Sequence, residues 1–193
     1  MADNTSPDDG ANDMGDMAAW FQAQPPEEQA RLKSHMSLVH RTQEFVRLVW
    51  NSGDLSSAWR LVDPLLRTCL AQKWLLDNQA DLERSSWDRE DVVDAFGADE
   101  PDHALWEHFE RVYVRGFRAA ADLGQWGYGS HTRFHSPDVE AVVLLPPGVT
   151  EWKADELQQV FPMLLRHDRE FGWRILNVGS ETLPEAGWPP NLG

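Results

Sequence analysis

The chain has 193 residues, with 17 Lys and Arg side chains against 32 Asp and Glu, and a formal net charge of −15. This balance argues against a nucleic-acid-binding surface, because such surfaces neutralise phosphates with Lys and Arg. The single cysteine, Cys69, excludes an intramolecular disulfide framework and a multi-cysteine zinc site. No apolar run approaches the roughly 20 residues of a membrane span, and residues 1–30 lack an apolar signal-peptide core. The sequence therefore predicts a cytoplasmic protein with neither a membrane nor a nucleic-acid partner.

Residues 1–30 differ in composition from the rest of the chain. They hold seven Asp and Glu side chains and no Lys or Arg. Such a segment buries too little apolar surface to offset the entropy of ordering it. We expect a disordered acidic tail, and its charge leaves open a second role as the binding segment for a protein partner.

Helical spacing of apolar residues begins at about residue 31 and continues to Gly124. Gly53 fits the glycine that follows a helix, because glycine adopts the left-handed conformation without strain. Capping residues predict four further helix starts: Asp54, Asp63-Pro64, Ser85 with Asp88 as the third residue, and Pro101.

The helix after Asp63-Pro64 is among the most apolar in the chain. Cys69 falls within its apolar pattern, so we expect a buried small hydrophobe rather than a nucleophile. Arg67 lies one turn into the same helix and would need a carboxylate partner if it is buried. Asp63 is near enough in sequence to supply that carboxylate.

After Gly124 the apolar period changes to about two residues, which is typical of strands. Four strands are predicted, over residues 125–134, 139–145, 158–167 and 173–178. The second is apolar enough to be central in a sheet, whereas Pro162 favours an edge position or a bulge for the third. Residues 181–193 contain three prolines and are expected to form an extended tail that packs through Trp188.

Helices followed by hairpin-linked strands predict one α+β domain over residues 31–180, with N-terminal helices packed on a curved antiparallel sheet. Three features of the sequence are informative about the type of fold: the helix end at residues 51–54, the apolar strand 139–145 and the final hairpin 164–178. This order resembles the nuclear transport factor 2-like fold, the cone shared by ketosteroid isomerases, limonene epoxide hydrolases and SnoaL-like polyketide cyclases. The resemblance implies a concave sheet that leaves a pocket beneath the helices.

Aromatic residues are the candidates to line such a pocket: Trp59, Trp74, Tyr113, Trp126 and Tyr128. Core packing is the alternative for those on helix faces. We expect a non-catalytic domain that binds a small apolar ligand or a protein partner, and that forms a homodimer through the outer face of the sheet. No cofactor is predicted, because the sequence has no phosphate loop, dinucleotide fingerprint, nucleophile elbow or EF-hand loop.

The alternative is a SnoaL-like or isomerase-like enzyme that needs no cofactor and transfers a proton with an inner His or Asp. Asp63 is one candidate, because a desolvated carboxylate can act as a base, although helix capping explains the same residue. His131 is the other, provided that a bulge turns it to the side of Trp126 and Tyr128.

A metal site is not predicted. His35 and His40 lie five residues apart on a helix, which puts them about 140° apart around its axis. They therefore lack the four-residue spacing with which two histidines ligate one zinc ion.

Overall fold

The structure is a computed structural model that describes residues 17–149 and 159–193, with the backbone alone for residues 125 and 127–133. The chain divides into two units, Met1–Ser37 and Leu38–Gly193. Within the described residues, seven helices precede a four-stranded antiparallel sheet that does not close on itself. The predicted α+β class is therefore confirmed.

The described part of the first unit is helical. Helix α1 spans residues 17–22, and helix α2, Pro26–Val46, begins in this unit. Pro26 suits the first position of α2, because the amide of a first helical residue has no partner within the helix and proline has no amide hydrogen. The acidic residues of the first turn interact favourably with the positive end of the helix dipole. Helical structure therefore begins before residue 31, and the disorder of the tail stays a prediction. The expectation for residues 1–16 lies outside the described part of the chain.

The remaining helical elements follow in the order π-turn Arg47–Ser52, α3 Leu55–Ala58, 3-10 turn Trp59–Leu61, α4 Pro64–Asp77, α5 Gln79–Leu82, α6 Arg89–Gly97, α7 Trp106–Ala120 and 3-10 turn Leu123–Gln125. Gly53 is left-handed with φ 72°, as predicted. The Asp54 carboxylate accepts from the Ser57 amide at 2.8 Å, and the Asp63 carboxylate accepts from the Leu65 amide at 2.9 Å. Both predicted N-caps are confirmed.

Two predicted helix starts are wrong. Asp88, not Ser85, caps α6, accepting from the Glu90 amide at 2.9 Å. Ser85 instead donates its hydroxyl to the Leu82 carbonyl, so it closes the turn after α5. The last helix begins at Trp106 rather than at Pro101.

A histidine explains this late start of α7. The Leu105 amide donates to Nδ1 of His103 at 3.1 Å, and the Trp106 amide donates to the His103 carbonyl at 3.0 Å. These bonds form a turn before the helix, which the proline-based prediction did not anticipate.

The sheet is a meander of β1 Gly127–Ser136, β2 Val139–Leu145, β3 Phe161–Asp168 and β4 Gly172–Val178, in that spatial order. The prediction that 139–145 is a central strand is confirmed. The edge position favoured for the third strand is wrong, since β3 lies between β2 and β4. Pro162 is tolerated as the second residue of β3, where its carbonyl accepts from the Gly179 amide at 2.9 Å. The register shifts between Leu164 and Leu165, two residues further on.

Most of the apolar core joins one sheet face to the helices. Val142, Met163 and Ile175 belong to one buried cluster with helix residues such as Trp59 and Trp74. The other face holds a smaller buried cluster: Val139, Ala141, Leu164 and Leu176. In the described part of the chain, every helix is too short or too polar to cross a membrane.

The C-terminal segment is not simply extended. Glu185 and Asn191 form an antiparallel bridge, and the Gly187 amide donates to Oε1 of Gln72 on α4 at 2.9 Å. Asn177 of β4 donates to the Thr182 carbonyl at 2.7 Å. The segment is therefore a turn that is tied to α4 and β4. Trp188 is exposed, and the centre of its ring lies 4.2 Å from the Arg89 guanidinium carbon.

Candidate functional site

An apolar groove of about 350 Å³ lies between α4, α7 and β4. Its apolar wall consists of Leu66, Leu70, Trp74, Val112, Tyr113, Phe117, Val178 and Leu192. Polar side chains at its margins are Lys73, Asp77, Asn78 and Asn177.

Helix periodicity explains why these residues form a wall. Leu66, Leu70 and Trp74 are spaced four residues apart, so they follow one stripe of α4. Tyr113 and Phe117 repeat that spacing on α7, and their ring centres lie 5.8 Å apart. The groove is therefore a cleft between two apolar helix stripes.

Trp74 has an unusual feature in this wall. Its indole N–H is buried and has no hydrogen-bond partner among the described residues. Its ring is fixed by Phe96, His108 and Phe109, at centre distances of 5.7, 5.8 and 6.1 Å. A buried donor without an acceptor costs about 1–3 kcal/mol.

The other polar groups of the wall are already satisfied. The Tyr113 hydroxyl donates to the Leu70 carbonyl at 2.8 Å. Burial, assisted by the charge of Asp77, raises the pKa of Tyr113 well above its usual value, so the phenol stays neutral. The Lys73 ammonium is paired with the Asp77 carboxylate.

Of the five aromatic residues predicted to line a pocket, the structure brings Trp74 and Tyr113 together in the groove. Trp59 is fully buried in the core and donates its N–H to the Phe96 carbonyl at 2.8 Å. Trp126 is half-buried beside Phe161, at a centre distance of 6.5 Å, and does not line the groove. The side chain of Tyr128 lies outside the described residues.

The aliphatic members of the wall were missed by the sequence reasoning. The prediction named only aromatic residues and did not consider that the apolar stripes of α4 and α7 could face each other. The four-residue repeat of Leu66 and Leu70 with Trp74 was the available signal. Asn177 gave no signal, because its place at the groove depends on the strand register.

Asp63 is an N-cap with both carboxylate oxygens engaged. Its side chain accepts from Nε of Arg166 at 2.8 Å and from a second nitrogen of the same guanidinium. Its use as a proton-transfer base stays a prediction, as does that of His131, whose side chain lies outside the described residues.

The partner expected for Arg67 is wrong. Arg67 is buried, but it pairs with Asp99 rather than with Asp63. It also donates to the Val62 and Gly97 carbonyls, both at 3.0 Å. Gly97 ends α6, so the guanidinium satisfies a free carbonyl at a helix C-terminus.

Cys69 is fully buried, as predicted. Burial, with a smaller contribution from the charge of Asp63, raises the pKa of its thiol to about 11. Such a thiol is protonated at neutral pH and is a poor nucleophile.

Among the side chains that the structure describes, no three of His, Cys, Asp or Glu are placed to hold a metal ion. Comparisons with protein-family models, curated proteins and solved structures found no match to this chain.

Proposed function

We propose that this chain is a non-catalytic binding domain of the nuclear transport factor 2-like type, whose groove takes a small apolar ligand. The observation that carries the proposal is the apolar cleft of about 350 Å³ between α4, α7 and β4. A ligand that covers Leu70 and Phe117 there would remove apolar surface from water.

The dimensions of the groove support a small-molecule ligand. Its volume of about 350 Å³ falls in the range of roughly 300–1,000 Å³ that is usual for ligand pockets. Apolar walls with a few polar groups are the usual composition of such sites. The groove therefore suits a compact ring system better than an extended polymer.

The polar groups of the groove favour binding over proton transfer. Asp77 is held by Lys73, and the hydroxyl of Tyr113 is committed to the Leu70 carbonyl. A general acid or base needs a free site that faces the substrate. An acid or base for proton transfer would therefore have to come from outside this wall. The isomerase-like alternative, which uses His131, is of that kind.

Gly116 offers a sharp test, because it lines the groove and a Cβ added there meets no atom within 4 Å. Gly116→Leu should fill the groove without a clash in the helix. Ala119→Leu is the matched control, because Ala119 is exposed on the same helix and does not line the groove. The probe is Prodan, a neutral naphthyl ketone whose emission shifts to the blue in apolar surroundings.

The wild-type chain and Ala119→Leu should bind Prodan with equal affinity, and Gly116→Leu at least about tenfold more weakly, because the apolar area that the dye would bury is lost. Circular dichroism checks that both variants are folded. Equal binding by a folded Gly116→Leu would refute the groove as the site.

The homodimer and the protein partner of the acidic tail stay predictions. Four residues of the outer sheet face, Val139, Ala141, Leu164 and Leu176, are already buried in the single chain. A dimer through this face would therefore bury little further apolar area at these positions. Native mass spectrometry of protein purified without added ligand reports the oligomeric state and any bound organic molecule together.

A further inference from the structure

Four arginines from different elements meet on a chain whose net charge is −15. They are Arg60 in the 3-10 turn, Arg67 on α4, Arg166 on β3 and Arg174 on β4, and we call them the arginine cluster. Arg166 and Arg174 are register partners on adjacent antiparallel strands. Like charges in directly opposite positions destabilise a sheet, so this cluster needs anionic partners.

Three carboxylates act on the arginine cluster: those of Asp63, Asp99 and Asp168, the last through the charge of Arg174. Asp63 accepts a bidentate pair of hydrogen bonds from Arg166 and also caps α4. Asp99 is paired with Arg67. Burial lowers the pKa of Arg67. The Asp99 carboxylate acts in the opposite direction, and the positive charge of Arg174 adds a smaller lowering.

Arg174 is the buried cation with the fewest partners. Its side chain is only 8% exposed, and its Nη1 lies 3.8 Å from Oδ1 of Asp99, beyond hydrogen-bond distance. Its guanidinium carbon lies 4.1 Å from the ring centre of Phe171. Its Nε is buried without a hydrogen-bond partner among the described residues. A guanidinium has five N–H donors, so Arg174 is poorly satisfied for a buried charge.

A cavity of about 270 Å³ adjoins this group. Three arginines line it, Arg41, Arg60 and Arg174, but only one acidic residue, Asp99. Arg41 is paired with Glu44 at 2.9 Å, whereas Arg60 is exposed and has no ion pair among the described residues. The cavity therefore carries net positive charge with an aromatic ring, Phe171, at its side.

We propose that this cavity binds the oxyanion of a small molecule, a carboxylate or a phosphate, between Arg174 and Arg60, with the rest of the molecule packed on Phe171. The planar guanidinium matches both oxyanions with paired hydrogen bonds. Partial burial strengthens the attraction, because water screens the charges less there. The site is separate from the apolar groove and does not depend on it.

The test is calorimetric titration of the full chain at fixed ionic strength with three phenyl compounds. Benzoate and phenyl phosphate carry the two oxyanions, and benzamide is the neutral match of benzoate. At least one anion should bind about tenfold or more tightly than benzamide, and the tighter of the two identifies the ligand as a carboxylate or a phosphate. Equal binding of all three compounds would overturn the proposal.

Two variants locate the site. Arg60→Glu should weaken binding of the anion at least about tenfold, because it places a negative charge beside the oxyanion. Arg84→Glu makes the same change in charge at an exposed arginine outside this cavity and should bind within about twofold of wild type. Equal losses in both variants would mean that only the overall charge matters, and the proposal would fail.

Arg174→Lys keeps the charge but removes the planar fork, and should weaken binding by a similar factor if it folds. Gly116→Leu, which fills the apolar groove, should leave anion binding unchanged. A loss in Gly116→Leu would assign the anion to the groove and contradict a separate site.

Discussion

Trp74 combines a large buried ring with a hydrogen-bond donor that has no acceptor among the described residues. Trp74→Ala should lower the free energy of unfolding by about 3–5 kcal/mol, the usual cost of emptying a large aromatic site. Trp74→Phe should cost less than half as much, because it keeps an aromatic ring and removes the unsatisfied donor. Urea unfolding measures both costs, and equal costs would mean that the N–H contributes no penalty.

Cys69 makes stability depend on pH in the alkaline range. Its thiol pKa is raised to about 11 in the folded chain, above the ordinary value of 9.0. The folded state therefore holds its proton over a range in which the unfolded state loses it, and stability falls as pH rises from about 9 to about 11. Between pH 8 and pH 10.5 the wild-type free energy of unfolding should fall about 2 kcal/mol more than that of Cys69→Ala.

Urea unfolding with a reducing agent, at both pH values and for both proteins, measures this difference. Tyr113 also titrates in the alkaline range and is present in both proteins, so its contribution cancels. Equal changes with pH in the two proteins would show that the thiol is not the source.

At the residue scale, the sequence predicted the environment of a side chain where neighbours along the chain determine it. It did not predict ion pairs between residues that are far apart in sequence. The burial of Cys69 followed from the apolar pattern of one helix. The partner of Arg67 did not, because Asp99 lies 32 residues away and enters the site only through the packing of α6 on α4. Asp63 and Arg166 are 103 residues apart and meet only once the sheet has formed.

At the scale of elements, Asp88 determines where α6 begins. Its carboxylate accepts from the Glu90 and Asp91 amides at 2.9 and 3.2 Å. Asp88→Ala should lower the free energy of unfolding by about 1 kcal/mol, the usual cost of a lost N-cap. Ser85→Ala is the comparison, because Ser85 bonds the preceding turn and should cost less than about 0.5 kcal/mol. Urea unfolding that ranks these two costs the other way would contradict the assignment of the cap.

The ends of helices were predictable where a single residue acts strongly on the nearby backbone. Gly53 adopts the left-handed conformation of its own backbone, and Asp54 and Asp63 each accept from an amide within three residues. Each of these predictions is confirmed. The start of α7 was not predictable in this way, because the His103 side chain holds the turn before it. Strand β2 was predicted at its exact ends because its apolar run is bounded by turns on both sides.

At the scale of the whole molecule, the predicted order of helices before strands is correct. The period of the apolar residues indicates a helix or a strand without any knowledge of tertiary contacts. The grouping of sites could not be predicted in the same way. The groove needs α7 to lie beside α4 and β4, and the arginine cluster needs the register of β3 with β4. Both depend on packing between elements that are distant in sequence, which a single sequence does not specify by pattern.

The net charge of −15 should oppose folding through repulsion between like charges. Raising NaCl from about 10 to about 150 mM shortens the screening length from roughly 30 to roughly 8 Å, so the wild-type Tm should rise by several degrees. A variant that lacks residues 2–16 loses five aspartates, Asp3, Asp8, Asp9, Asp13 and Asp16, and should show a smaller rise. Differential scanning calorimetry of both proteins across the salt series measures this. A wild-type Tm that falls with salt would mean that ion pairs such as Arg166 with Asp63 outweigh the overall repulsion.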